Sequence, residues 1–392
     1  MNAKSCLQIN GPMKTYLFCS FLLIFLSVVC LAPAEKGIST EAARAYQTGL
    51  RALARKDNRA AFTAFQQAVK LDASHAETHY QLGVLYGKQS QWKPAIQALQ
   101  TAINLTPDFA DAHARLGEAY LIGMADAKDA VEPLQRALQL QPDLFKARRL
   151  LGTAYLRLNQ IDEAIHHLKQ APQDSEARYL LGLAYFQAED FRQAIPYFEA
   201  VIKRQNRHAK AHFNLGNCYL RTGKITEGRA ALRTFEKLIR EDEQLTTLQR
   251  LILDNPQRLH PRYQLAELHI KRTEWKPAAA ELKACLAIAP DDEKASELLG
   301  YIYLQTEAYV DALEIYGPLV EAYPKSAIYR NSLGIVYMML KKPRQAITQF
   351  EAAIRLNTTT PQLYRNLANA YRQIGEQAKA EWAYQRYRSL TK

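Results

Sequence analysis

The chain has 392 residues, 48% hydrophobic and 23% charged, with 16 Gly, 16 Pro and five Cys. That composition excludes a disordered, collagen-like or disulfide-framed protein, and the length suits two or three ordinary domains or one extended array. A formal net charge of +12 favours acidic or anionic partners.

The first element in chain order is an N-terminal segment. Lys4 and Lys14 precede an uncharged apolar stretch from Tyr16 to Ala32, and Ala32 and Ala34 form an A-x-A pattern before Glu35. A positive n-region, an apolar h-region and a small-residue exit together predict a signal peptide over residues 1–34, cut after Ala34. The stretch is also near the lower length limit for crossing a bilayer, so the alternative is an uncleaved anchor at residues 16–32. The body is accordingly expected to be exported: periplasmic or secreted after cleavage, or held at the membrane by the anchor. Three of the five cysteines lie in this segment. Cys218 and Cys285 fall inside helical patterns and read as small buried residues.

The body repeats itself. "HYQLGVLY" begins at His79 and returns as "HARLGEAY" from His113, "RRLLGTAY" from Arg148, "RYLLGLAY" from Arg178 and "HFNLGNCY" from His212. Later copies start at Arg262, Ser296, Arg330 and Tyr364, and a degenerate first copy starts at Ala45. Most steps between copies are 34 residues; the exceptions are 35 after Gly117, 30 after Gly152 and 50 after Gly216. Twelve residues after the first small residue comes a second, such as Ala61, Ala95, Ala164 or Ala194, and four further on a large one, such as Phe65, Leu99 or Phe198. The third copy carries one extra residue between the two small sites. Apolar spacings of three and four predict two amphipathic helices per copy, with the small residues letting them approach closely.

This pattern resembles the tetratricopeptide repeat (TPR) family, whose signature is W-x2-L-G-x2-Y, then A-x3-F, then P. His or Arg commonly stands where the family has Trp. The resemblance implies an all-α, right-handed superhelical solenoid of about ten helix-turn-helix units. Units one to six fill residues 42–242 and units seven to ten fill 259–392, with a helical insert or joint at 243–258 that prolongs the sixth unit's second helix to Asn255-Pro256. The fourth unit is short, which predicts a truncated second helix, and Gly317-Pro318 predicts a kink.

No catalytic constellation stands out. Gly216 to Gly223-Lys224 has the wrong spacing for a phosphate loop, and neither G-x-S-x-G nor H-E-x-x-H occurs. His75/His79 and His208/His212 have i,i+4 spacing, but no carboxylate or Cys nearby in sequence completes a tetrahedral set, and His79 and His212 occupy the repeat's Trp-like position. The sequence therefore predicts neither enzyme activity, nor a cofactor, nor a metal.

Counting the first small residue of each unit as position 8, positions 4, 7, 8 and 11 are expected to pack, and positions 2, 5, 9 and 12–13 form the adjacent stripe. In TPR proteins that stripe lines a concave groove for peptides or partner helices. Here it holds Lys146, Arg149 and Arg157 in the fourth unit, Tyr179 and Phe186 in the fifth, Lys210, Phe213, Asn217 and Arg221 in the sixth, and Tyr263 in the seventh. A basic stripe interleaved with aromatics predicts an acidic protein segment or helix as partner, with Asn217 bonding its backbone. An anionic polysaccharide or membrane surface is the further possibility, and an exported chain is not expected to meet nucleic acid. The last helix carries Trp382, Tyr384 and Tyr387, which would allow self-association through the C-terminal unit. The resulting expectation is a non-catalytic scaffold in envelope assembly, secretion or polysaccharide export; the alternative is a membrane-anchored module that recruits or regulates an enzyme.

Overall fold

The computed structural model describes residues 39–391, so the expected signal peptide or anchor lies outside the described residues. Among them are twenty α-helices, one π-helical turn and no β-strand. No helix among them is long and apolar enough to cross a membrane. They divide into two compact units, one up to Leu232 and one from Arg233.

The first unit pairs α1 (Thr40–Ala54) with α2 (Asn58–Leu71), α3 (Ala76–Lys88) with α4 (Trp92–Leu105), and α5 (Ala110–Glu118) with α6 (Ala127–Leu140). It continues with α7 (Phe145–Arg157) and α8 (Ile161–Lys169), α9 (Ser175–Gln187) and α10 (Phe191–Arg204), and α11 (Ala209–Arg221). α12 (Ile225–Asp254) is a single 30-residue helix that contains the unit boundary and ends before Asn255-Pro256. The second unit pairs α13 (Leu259–Lys271) with α14 (Trp275–Ile288) and α15 (Glu293–Gln305) with α16 (Tyr309–Ala322). It ends with α17 (Ala327–Met339) and α18 (Pro343–Leu356), then α19 (Pro361–Gln373) and α20 (Gln377–Leu390). From α1 to α11, and from α13 to α20, each helix packs on the next.

The small residues explain the pairing. A Cβ built on Gly182 would lie 2.7 Å from Phe198 Cε1, and one on Gly49 2.4 Å from Phe65 Cε1. The glycine of the first helix is thus the seat of the large residue of the second. Phe65, Phe198 and Phe350 are fully buried, and burial of each contributes about 1.5–3 kcal/mol. Between the two helices of every repeat one residue takes a left-handed conformation: Gly223 and Gly375 in two repeats, but Thr273, Glu189 and other side-chain-bearing residues in the rest.

Position 4 does more than pack. It is half-buried in most repeats, and in all but the first and eighth, which have Ala45 and Ser296, its side chain donates a hydrogen bond to the carbonyl six residues earlier, in the loop from the preceding repeat. His113 Nε2 lies 2.8 Å from Pro107 O, Arg178 Nη2 2.8 Å from Pro172 O, and Tyr364 Oη 3.1 Å from Thr358 O. His, Arg and Tyr are interchangeable here because each carries a donor at the end of a long side chain. The buried stripe is completed by positions 3 and 10, occupied by Ala147 and Ala154 in α7 and by Ala211 and Cys218 in α11.

The irregular repeats have local explanations. The extra residue of the third copy is absorbed in a π-helical turn at Ala119–Gly123 that follows α5. The short fourth copy has a nine-residue second helix, α8, against 14 residues in α10. α16 runs on through Gly317-Pro318 to Ala322.

Candidate partner-binding face

The ten residues of the candidate stripe meet different fates. Lys146 at the start of α7 reaches back to Glu118 at the end of α5, Nζ to Oε1 2.7 Å, and Arg115 binds the same carboxylate at 2.9 Å. Burial pushes the Glu118 carboxyl up, but the hydrogen bonds and charges of Lys146 and Arg115 outweigh it, leaving the group below its ordinary range. Arg149 Nε donates to Asp174 Oδ2 at 3.0 Å, and Asp174 also caps α9 through the amides of Glu176 and Ala177. Arg157 Nη1 donates to the Leu121 carbonyl at 2.6 Å, satisfying an acceptor in the π-helical turn. Three of the candidate cations therefore tie one repeat to the next.

Tyr179 is buried. Its hydroxyl accepts a hydrogen bond from Asn214 Nδ2 at 3.2 Å, and its ring packs on Phe198 and His208. The same two positions of successive repeats are bridged by Asn366 Nδ2 and Asn331 Oδ1, 2.9 Å apart. Asn214 is scaffold. Phe186 is half-buried, edge-on to Phe191, and the Arg221 guanidinium stands 5.9 Å from the Phe191 ring.

The remaining first-unit residues share one helix. On α11, Lys210 and Arg221 are exposed, Phe213 is 43% exposed, and Asn217 is half-buried with Nδ2 donating to the Phe213 carbonyl. Exposed Lys203 and Arg204 in the last turn of α10 extend the positive charge. Cys218, beside this face, is fully buried, and burial pushes its thiol up to about 11; Cys285 behaves alike.

In the second unit Tyr263 is half-buried below Lys294, whose Nζ lies 5.2 Å from the ring and 2.7 Å from Glu267. Burial and then the Asp292 carboxylate hold the Tyr263 hydroxyl well above its ordinary range. Here the stripe carries exposed apolar residues that the sequence reading passed over: Tyr301, Ile328 and Met339, with Ile328 66% exposed. A signal for Ile328 existed, because position 2 is polar in the neighbouring repeats, as at Lys294 and Gln362.

The imidazoles are engaged by the scaffold. His79 and His212 use Nε2 on loop carbonyls, His208 Nδ1 accepts from the Ala211 amide, and His75 Nδ1 lies 2.6 Å from Thr78 Oγ1. On α20, Trp382 is 57% exposed and edge-on to Tyr364, while Tyr384 and Tyr387 are half-buried against each other.

Helical hairpins, each closed by a small-residue seat and most tied to the preceding loop by a side chain that donates to its carbonyl, define an all-α repeat protein. Family models described as "Tetratricopeptide repeat" match residues 121–184, 179–243, 263–327 and 331–390, and one described as "TPR repeat" matches 88–122. The chain belongs to the tetratricopeptide repeat family. A 104-residue stretch is 33% identical to the type IV pilus assembly protein PilF of Pseudomonas aeruginosa strain PAO1, covering 25% of this chain and 40% of that protein. The chain thus spans less than half the length of this relative. Among solved structures, YrrB, described as a TPR protein with an unusual peptide-binding site, aligns at 22% identity over 45% of this chain and 92% of its own, with a TM-score of 0.41. The structure of Pseudomonas aeruginosa pilF aligns at 19% identity over 60% of this chain and 98% of its own, with a TM-score of 0.38.

Proposed function

We propose that this protein is a non-catalytic scaffold that captures acidic segments of partner proteins on the α11 face, outside the cytoplasm. The observation that carries the reading is the contrast among the candidate cations. Lys146, Arg149 and Arg157 are bonded between repeats, whereas Lys210 and Arg221 flank exposed Phe213 on one helix and offer charge to a ligand. Membership of a family of interaction scaffolds supports protein ligands over small molecules. The N-terminal pattern of charge, apolar run and small residues supports export. Together with the stretch that resembles a pilus assembly protein, it favours a role in assembling or exporting a structure of the cell envelope.

A photo-crosslinking amino acid placed at Phe213 tests the reading directly. It is expected to trap a partner through an acidic segment. The same group at Gln193, on the exposed face of α10, should trap none of it. Equal trapping from both positions would contradict the assignment.

A further inference from the structure

Position 12 of the first helix is filled by a large apolar residue through most of the first unit: Leu53, Leu121, Leu156, Phe186 and Leu220, all buried or half-buried. The second repeat has Gly87 there. A Cβ on Gly87 would meet only Trp92 Cζ3, at 3.5 Å, so the backbone does not require glycine at this site. Trp92, at the start of α4, leans instead on the next repeat: a Cβ on Gly123, in the π-helical turn, would lie 2.2 Å from its Cδ2. The indole therefore fills only part of the space that a leucine at position 12 would occupy. A half-open pocket of about 170 Å³ remains, whose apolar lining is Val84, Trp92, Ala95, Leu99 and Ala119. A cavity of about 150 Å³ with apolar walls accommodates benzene.

The mouth is polar and positive. The polar residues of the lining are Lys88, Arg115 and Glu118, and the Glu118 carboxylate is already shared by Arg115 and Lys146. Lys88 is exposed and has no ion-pair partner among the described residues. An apolar hole the size of a phenyl ring, rimmed by excess positive charge, suits a large apolar side chain with a carboxylate beside it.

We propose that the Gly87 cavity is an anchor pocket for a phenylalanine or leucine side chain of a partner polypeptide, carried next to an aspartate or glutamate. It adds a second contact point in repeats two and three, and rests on the proposed function only in taking a polypeptide as ligand. The partner's side chain takes the place of the one that the repeat itself leaves out.

The pocket has its own reporter. With Trp275→Phe and Trp382→Phe, Trp92 is the sole indole of the chain. The probes are acetylated, amidated pentapeptides Gly-Asp-X-Asp-Gly with X as Phe, Leu or Ala, plus Gly-Lys-Phe-Lys-Gly. The Phe and Leu peptides are expected to shift Trp92 emission saturably, the Ala peptide to leave it unchanged, and the Lys-flanked peptide to bind about tenfold more weakly or worse. Gly87→Leu, which restores the residue type of the other repeats, should raise the Tm and abolish the response. Lys88→Glu, at an exposed site, should weaken the Phe peptide about tenfold with the fold unchanged. Equal responses to the Phe and Ala peptides, or an undiminished response in folded Gly87→Leu, would overturn the proposal. Lys210→Glu/Arg221→Glu should leave the peptide response intact, so failure at this pocket and failure at the α11 face are read separately.

Discussion

Two residue types decide whether each repeat closes. The first is the small residue under the large side chain of the second helix, glycine in eight repeats and Ala266 and Ala368 in the other two. At Gly216 a Cβ would lie 2.8 Å from Leu232 Cγ and 3.1 Å from the Gly228 carbonyl, so the contact is closed by backbone as well as side chain. Gly216→Leu is expected to cost about 1–3 kcal/mol through overpacking, read as a lower Tm. The second is the left-handed residue between the helices. Thr273 takes φ 59° with a β-branched side chain, where Gly223 and Gly375 serve other repeats. Thr273→Gly is expected to stabilise by about 1 kcal/mol, because relief of the left-handed strain exceeds the entropy that glycine adds to the unfolded chain. A lower Tm for Thr273→Gly would contradict that account. The glycine seats were legible in the sequence because their spacing is fixed. Of the left-handed sites only Gly223, Gly375 and Asn159 carry a turn signature; lysine, serine, alanine, glutamate and threonine occupy the rest without one.

At the scale of the helix, charge serves stacking before it serves binding. Glu118, Lys146 and Arg115 join α5 to α7, and Arg149 joins α7 to α9. Charge and spacing along the sequence cannot separate such inter-repeat pairs from a ligand-facing stripe, since both occupy the same helix positions. That is why Lys146 and Arg149 could be placed only once Glu118 and Asp174 were located. The donor role of the Trp-like position was missed for a related reason: a half-buried ring and a hydrogen-bond donor both select His and Tyr, and only the recurrent Arg points to the donor. Because the Glu118 carboxyl sits below its ordinary value, its contribution is complete above the unfolded value of about 4.3 and is lost as pH falls through the folded one. Glu118→Gln should therefore flatten the fall of Tm between roughly pH 5 and 3 relative to the parent. Parallel Tm curves for the two proteins would show that the pair contributes nothing.

For the whole molecule, the second helices carry the organisation. Most place apolar residues one and eight positions after their small residue, such as Ile195 and Ile202 in α10 or Ile347 and Ile354 in α18. Two helices do not. α12 has Arg229 and Glu236 at these positions, and α20 has Glu381 and Arg388, all exposed. One of these polar pairs lies within four residues of the division at Leu232/Arg233 and the other on α20. The sequence reading took 243–258 as a joint from the longer spacing and from the helical pattern of Leu245, Leu248, Leu251 and Ile252, which prolongs α12 to Asp254; the polar residues Arg229 and Glu236 lie earlier in the same helix. Trp92 in the first unit and Trp275 in the second should accordingly report different midpoints in urea, whereas a single coincident transition would mean that the two units unfold as one.

The central claim, capture of acidic protein segments by the α11 face, is tested most directly by the salt dependence of partner retention. The parent protein and a Lys210→Glu/Arg221→Glu variant, matched in Tm, would be immobilised and the partners retained from an envelope extract quantified across increasing salt. The account predicts that the parent holds a defined partner that salt releases, and that the charge-reversed variant fails to retain it even at low salt. Retention of the same partner by both proteins, with the same response to salt, would contradict it.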